Sequence, residues 1–393
     1  MNNDGVSILT INAGSSSIKF ALYEKNDELQ QILSGKMERI GLKDASFTIK
    51  QNDKKLNENI DVSNFRNATT SLINWFEKQH WFNAVKAIGH RVVHGMQHTK
   101  AEIISDELLN ELNKISNYDP DHLPAEIDII QTLQKKYPQL IQVACFDTAF
   151  HTTIPSVAKT FAIPKKYSDE GIRRYGFHGI SYSYLLQQLI KENAEEAKGK
   201  IILAHLGNGA SIAAVKDGKC IDTSMGFTPA AGIVMSTRSG DLDPGIAWYL
   251  MQQGMDAKAF NNLINHQSGL LGISGASSDM QDLLQQEKTN TDAALAVDIF
   301  CYQIAKYIGA YIAALNGLDA LVFSGGIGEN ASVIRARICD AFQYINLSID
   351  QQKNNNNELV ISNNQSKIKV YVIPTNEELM IAEITAELYS YQQ

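Results

Sequence analysis

Short apolar runs alternate with longer stripes in which apolar residues recur every three or four positions. Residues 6–11 and 18–23 read as two strands on either side of a small polar loop. Further strands are expected at 84–95 and 140–150, as a strand–turn–strand over 200–219, in the run opening at 319, and at 368–375. Between them fall helical patterns. The clearest is 292–316, where Val297, Phe300, Ile304, Ile308, Tyr311, Ile312 and Leu315 fall on one stripe that Gly317 stops. A second is expected at 181–198 ahead of the 200–219 hairpin, and a last one begins near 375. Thr375 and Glu378 fit a capping box there, which gives Glu378 a structural task and leaves Glu377 free. Strands interleaved with helices predict an α/β architecture.

One pattern occurs twice. With Ser17 laid over Ser211, "ILTINAGSSSIKFALYE" falls on "IILAHLGNGASIAAVKDG", an offset of 194 residues (211 minus 17). Both are strand, small-residue turn, strand. A duplicated domain is one reading, with the two loops gripping a polyanionic ligand; a chance match of two hairpins is the other.

Composition narrows the classes. The chain has 393 residues, 44% hydrophobic and 20% charged, and a formal charge of −8. That predicts a globular chain of two or three domains. No basic run suggests nucleic acid, no apolar stretch reaches membrane-span length, and "MNNDGVSILTIN" lacks the pattern of a signal peptide. The four cysteines, Cys145, Cys220, Cys301 and Cys339, are too far apart in sequence to form a metal motif and lie in apolar or mixed segments, so buried reduced thiols and a cytoplasmic protein are expected. The Asn-rich stretch 351–367 reads as a surface loop or weak hairpin without function.

Several loops carry candidate chemistry, each beside a plainer alternative. Asn12, Ser15, Ser16, Ser17 and Lys19 offer hydroxyls, backbone N–H groups and a metal-reaching amide, or form an ordinary turn with Lys19 facing solvent. "AHLGNGAS" (204–211) and "FSGGIGEN" (323–330) permit close approach to phosphate or sugar, or are tight connections. Arg238 and Asp241 stand unexplained in "STRSGDLDPG", where Asp243-Pro244 starts a helix. Arg91 sits in an apolar strand. His90, His94 and His98, four apart, would face one way on a helix but not in that strand, which argues against zinc. Asp147 ends an apolar run, a frequent ligand position in α/β sheets, and His178 lies in the Gly-flanked "RRYGFHGIS".

Taken in order, "INAGSSSIKF", "GHRVVHG", "FDTAFH", "RRYGFHGIS", "AHLGNGAS", "DTSMGFTP", "TRSGDLDPGI", "QSGLLGISGASSD", "SGGIGEN" and "IPTNEELMIA" resemble the acetokinase family over nearly the whole chain. The resemblance implies an α/β fold of two similarly built actin-like ATPase domains around a nucleotide cleft. It places residues 1–150 with 376–393 in an N-terminal domain and 151–375 in a C-terminal one. It implies a homodimer that uses ATP/ADP with Mg²⁺ (or Mn²⁺) to phosphorylate acetate or another short-chain carboxylate, with no nucleic acid or membrane partner. Asn12 and Glu377 match its metal positions. Arg91 matches the carboxylate-binding position, with Val93, Phe177 and Pro229 in the acyl pocket. Asp147 matches the catalytic carboxylate; His178 and Arg238 match the transition-state stabilisers. Lys19, His205, Leu206, Gly207, Asn208, Gly209, Asp279, Met280, Gln281, Gly326, Ile327, Gly328, Glu329 and Asn330 match nucleotide-binding segments.

Three positions depart from the family pattern. Asp121 stands where the family has a pocket leucine, so either the loop turns to offer Leu123 or the preferred acid is not acetate. Met96 replaces a glycine, and Gln281 an arginine near the adenosine. Because a carboxylic acid is ionised at neutral pH, no general base is needed, and Asp147 is expected to organise Arg91 or a magnesium-bound water. A nucleotide-switched actin-like protein without an acceptor is the alternative from another class; Arg91, Asp147 and His178 speak against it, and against a catalytically dead homologue.

Overall fold

The computed structural model describes residues 6–14, 16–52, 54–192 and 195–392; Ser15, a candidate in the first loop, lies outside the described residues. The chain divides into two compact units, Met1–Ala149 with Asn376–Gln393, and Phe150–Thr375.

Unit 1 carries β1 (Val6–Ala13), β2 (Ile18–Lys25), β3 (Leu29–Glu38), β4 (Ser46–Gln51), β5 (Lys54–Asn59), β6 (Val85–Val92), β7 (Glu102–Ile103) and β8 (Ile141–Phe146) in one sheet of order β5-β4-β3-β2-β1-β6-β8-β7. Strands β1, β6 and β8 are parallel, while β1, β2 and β3 form an antiparallel meander. Strand alternation sends Leu9, Ile11, Phe20 and Leu22 to one face, where they pack with Leu72, Phe76, Ile129 and Leu133. Those partners come from helices α1 (Phe65–Glu77) and α3 (Leu123–Lys136); α2 (Asp106–Ile115) packs beside α3. The other face takes Ile8, Ala21 and Tyr23, covered by the C-terminal helix Glu377–Ser390 through Ala382 and Ala386.

Unit 2 carries β9 (Lys200–Leu206), β10 (Ala210–Lys216), β11 (Lys219–Thr223), β12 (Ala320–Ser324) and β13 (Lys369–Val372), ordered β11-β10-β9-β12-β13. Its antiparallel meander β9–β10–β11 is followed across the sheet by the parallel pair β12 and β13. The central five strands of unit 1, β3-β2-β1-β6-β8, have the same order and directions. The duplicated hairpin is therefore the first part of a repeated sheet topology.

The helix Thr291–Leu315 is long and apolar enough to span a membrane, but Phe300, Ile304 and Ile308 are fully buried and it packs on β9 and β10 inside unit 2. Asn316, in the left-handed conformation, caps it before Gly317. The expected helix at 181–198 is instead Gly179–Lys191, and a 3₁₀ turn covers Glu195–Lys198. The capping box at Thr375 is corrected. Asn376 caps the last helix, its Oδ1 accepting from Leu379 N at 2.9 Å, because Thr375 Oγ1 is 2.8 Å from Ser181 Oγ.

The reading of 351–367 as a surface loop or weak hairpin is corrected at its start. Gln351–Asn355 is a short helix, and Asn354 is fully buried against Arg335. Arg335, 0% exposed, donates from Nη1 to the carbonyls of Gly328 (2.8 Å) and Glu329 (2.9 Å). Its Nε reaches Asn354 Oδ1 at 2.8 Å, and Nη2 reaches Asn354 O and Asn357 Oδ1, both at 2.6 Å. All its donor groups are thus engaged, by neutral oxygens.

Candidate active site

In unit 1 the candidates gather where β1 and β6 meet the start of the C-terminal helix. Asn12 lies on the helix-covered face of β1, two steps beyond Thr10. Its Nδ2 donates to Glu377 Oε2 at 3.0 Å, and across the strand pair it faces Lys19, which is exposed. A few hard oxygen donors, the Asn12 amide oxygen and the Glu377 carboxylate, could hold a magnesium ion that keeps several waters and takes further oxygens from phosphate. Glu378, where the helix begins, has its carboxyl raised by burial and by the neighbouring Glu377, against the pull of Lys19.

Arg91 is on β6, two residues past Gly89, which faces the same helix: a Cβ there would lie 2.6 Å from Ile381 Cγ2. At the end of that strand Arg91 Nη2 donates to Asp147 Oδ2 at 2.7 Å. Asp147 is fully buried just past β8, and its N–H donates to the Val92 carbonyl at 2.9 Å. Burial opposes the charge on Arg91, but the carboxylates of Asp147 and Glu377 hold the guanidinium well above its ordinary range. The result is a permanently cationic group at the carboxyl end of parallel strands, where α/β sheets bind ligands.

Val93, next along, is buried, and its N–H donates to Glu126 Oε2 at 2.9 Å. Leu123 is fully buried and Asp121 is not, so the segment turns its leucine inward, as the cost of burying a carboxylate requires. Met96 adopts a left-handed φ of +48°, the conformation for which the family's glycine is suited.

In unit 2 the candidates form a second cluster. His178 begins the helix Gly179–Lys191 at a left-handed φ of +60°. Its Nδ1 shares a 2.9 Å hydrogen bond with Ser211 Oγ, which also bonds the Tyr182 hydroxyl. The ring stacks on His205 with centroids 4.3 Å apart. His205 Nδ1 is in turn 2.8 Å from Ser181 Oγ. A Cβ on Gly209 would meet His178 Nε2 at 3.2 Å and Arg238 Nη1 at 3.6 Å, so Gly209, His178 and Arg238 converge. Ser236 N–H donates to the Asn208 carbonyl at 3.1 Å, tying the Arg238 loop to the 207–209 turn.

A Cβ on Gly207 would lie 3.7 Å from Gly326 N, which joins Leu206–Gly209 to the second glycine segment. There the structure differs from a simple strand-end turn. Gly325–Asn330 is itself a short helix, and Glu329 Oε1 accepts from Gly325 N (2.9 Å) and Thr375 N (3.1 Å). Gly325 has φ +76°, and a Cβ there would meet the Leu206 carbonyl at 2.7 Å. Gly326 faces open space, with Asn330 exposed and Ile327 and Gly328 more enclosed. Asp279 caps the helix Met280–Gln286, accepting from Gln281 N at 2.7 Å; Met280 is buried, and Gln281 is exposed. Phe177 is buried and Pro229 half-buried.

The Acetokinase family profile matches residues 7–383. The chain belongs to the acetokinase family. An acetate kinase of Finegoldia magna is 43% identical over 97% of this chain and 99% of its own. One from Staphylococcus saprophyticus is 42% identical, over 95% and 96%. Among solved structures, a propionate kinase from Francisella tularensis superposes with a TM-score of 0.91 at 41% identity, covering 97% of this chain and 99% of the other. A Porphyromonas gingivalis acetate kinase gives 0.87 at 36%, covering 98% and 99%. The fold is therefore the mixed α/β architecture of these acetokinases.

Two buried ionisable groups that touch these segments, Glu126 and Arg335, were not legible in the sequence. Glu126 did leave a signal. It sits in the stripe Leu123, Glu126, Ile127, Ile130, Leu133 that α3 buries, one carboxyl among aliphatic residues.

Proposed function

We propose that this chain is an ATP:acetate phosphotransferase that reversibly forms acetyl phosphate and ADP. The observation that carries the reading is Arg91, a guanidinium 13% exposed and clamped by the fully buried Asp147 at 2.7 Å at the end of β6. A pure nucleotide switch has no use for such a group. The relatives named acetate kinases support acetate as acceptor; the likeness to a propionate kinase keeps propionate as the alternative within the same chemistry.

An acetate oxygen attacks the γ-phosphorus in line, the bond from that phosphorus to the β,γ-bridging oxygen breaks, and ADP leaves with the electron pair. The acceptor is already an anion, so the difficulty is anion meeting anion. Arg91 neutralises and aims the acceptor, and Val93, Phe177 and Pro229 are the acyl-pocket positions that the family resemblance implies. Asp147 holds Arg91 and takes no proton. His178 and Arg238 stabilise charge on the transferring group, His178 being oriented through Ser211. Leu206–Gly209, Asp279–Gln281, Gly326–Asn330 and Lys19 hold the nucleotide. Asn12 and Glu377 would hold Mg²⁺, or Mn²⁺, which supplies charge neutralisation at the phosphates when bound.

The protein is read as cytoplasmic, in keeping with four free buried cysteines. It is also read as a homodimer. The helix Pro244–Gln252 has no buried residue and exposes Trp248 (68%) and Tyr249 (64%) beside Leu242, Ile246 and Met251, an apolar face suited to a second copy of the chain.

Hydroxylamine trapping of acyl phosphate, with acetate, propionate and butyrate compared, tests the reading. Acetate should have the highest kcat/KM, Arg91→Ala should lose about 10²–10³ in rate, and Asp147→Asn should lower turnover at every pH. No acyl phosphate from any acid, with ATP still bound, would overturn it. Loss of only an acidic limb in Asp147→Asn would make Asp147 a titrating group instead.

A further inference from the structure

We propose that Glu126 is a positioning residue for the acceptor: as an uncharged, proton-bearing carboxyl it fixes the Val93 end of β6 and leaves the charge of Arg91 to the acceptor carboxylate. This rests on Arg91 being the acceptor's anchor and adds the group that controls it.

The argument begins with a count of charges. Three carboxyls are buried in this part of unit 1: Asp119 (4% exposed), Glu126 (1%) and Asp147 (0%). Asp147 is paired with Arg91 at 2.7 Å, and Asp119 Oδ1 lies 2.9 Å from His122 Nδ1. Glu126 is in neither pair. Its Oε2 accepts one backbone N–H, from Val93, and its buried Oε1 meets no hydrogen-bond partner among the described residues. A carboxylate held by a single N–H in an apolar stripe is costly, whereas the neutral acid is tolerated.

Among the described residues, the surroundings supply no dedicated cation. On α1, Arg66 pairs with Asp128 at 3.2 Å, and on α2, Asp106 meets Gln134 at 3.5 Å. At the far end of α3, Lys136 pairs with Glu77 at 2.8 Å. On β6, burial lowers His90 to about 4, leaving a neutral ring against Gln142. Just beyond it, His94 Nδ1 accepts from Met96 N at 3.1 Å. Burial raises Glu126 to about 8. Arg91 and the Val93 N–H pull the other way, and Asp119 and Asp147 add to the rise.

Proton loss from Glu126 would place another carboxylate in the field of Arg91, beside Asp147 and Glu377. The acceptor, also a carboxylate, would then compete for one guanidinium. Its binding should weaken with alkaline pH while ATP binding, made by other groups, does not.

The test is KM for acetate and KM for ATP, measured separately from pH 6.5 to 9.5. The expected wild-type result is a flat KM for acetate that turns upward near pH 8, approaching tenfold per pH unit, with KM for ATP level throughout. Glu126→Gln, which keeps an acceptor for Val93 N–H and cannot ionise, should abolish the rise. Glu126→Asp should retain it. A wild-type KM for acetate that stays flat overturns the proposal even if the Gln variant fails to fold. So does an equal rise in Glu126→Gln, or a parallel rise in KM for ATP. Absence of acyl phosphate from every acid would instead remove the acceptor reading itself, and this proposal with it.

Discussion

A methyl group added at Gly209 would lie 3.2 Å from Nε2 of His178, and His178 has little room to retreat: Ser211 holds its Nδ1 and His205 stacks on its ring. Gly209→Ala is therefore expected to move the imidazole by a few tenths of an ångström. Turnover should fall by about tenfold while thermal stability stays close to wild type, because catalysis depends on such placement more steeply than folding does. A melting curve beside a kcat measurement separates the two. At this scale the sequence was informative where residue type is tied to chemistry. Arg91 in an apolar strand and His178 between glycines are costly placements that invite a functional reading. Arg335 was hidden because its partners, Asn354 and Asn357, come from a polar run whose composition resembles a loop. Only the folded chain shows that a buried guanidinium uses those amides as acceptors.

Strand β6 and the C-terminal helix meet at Gly89. A Cβ there would lie 2.2 Å from Thr385 Oγ1 and 2.6 Å from Ile381 Cγ2, so the helix packs directly on the strand's backbone. Gly89→Ala should cost about 1–3 kcal/mol in unfolding free energy, measured by urea titration. It should also disturb Arg91 and Glu377, which flank the contact. The strands and hairpins were legible because period-two burial is a strong local signal. The start of the last helix was less so. Thr375 and Asn376 are both good caps, and the choice between them is made by Ser181, distant in sequence, which engages the threonine. The Gly325–Asn330 segment was misread for a related reason: glycines suggest a turn, while Glu329 reaching back to Gly325 N–H closes a helical one.

The molecule repeats one sheet order, β3-β2-β1-β6-β8 and β11-β10-β9-β12-β13, and assigns different chemistry to each copy. The exposed apolar face around Trp248 belongs to unit 2; on the proposed homodimer reading, Trp248→Glu is expected to give a monomer in sedimentation velocity where the unaltered chain gives a dimer, with the helical content of each unit retained. Unit 1 is discontinuous, and that bears on how the chain is made. Its β-strands emerge from the ribosome early, but the helix that covers Ile8, Ala21 and Tyr23 emerges only after unit 2. All of unit 2 is synthesised in between and can fold first, although it begins later. The nascent N-terminal sheet waits with one apolar face uncovered, a natural client for a chaperone. Translation that stops before residue 377 would release a chain with Asn12 and Arg91 but no Glu377 to meet them.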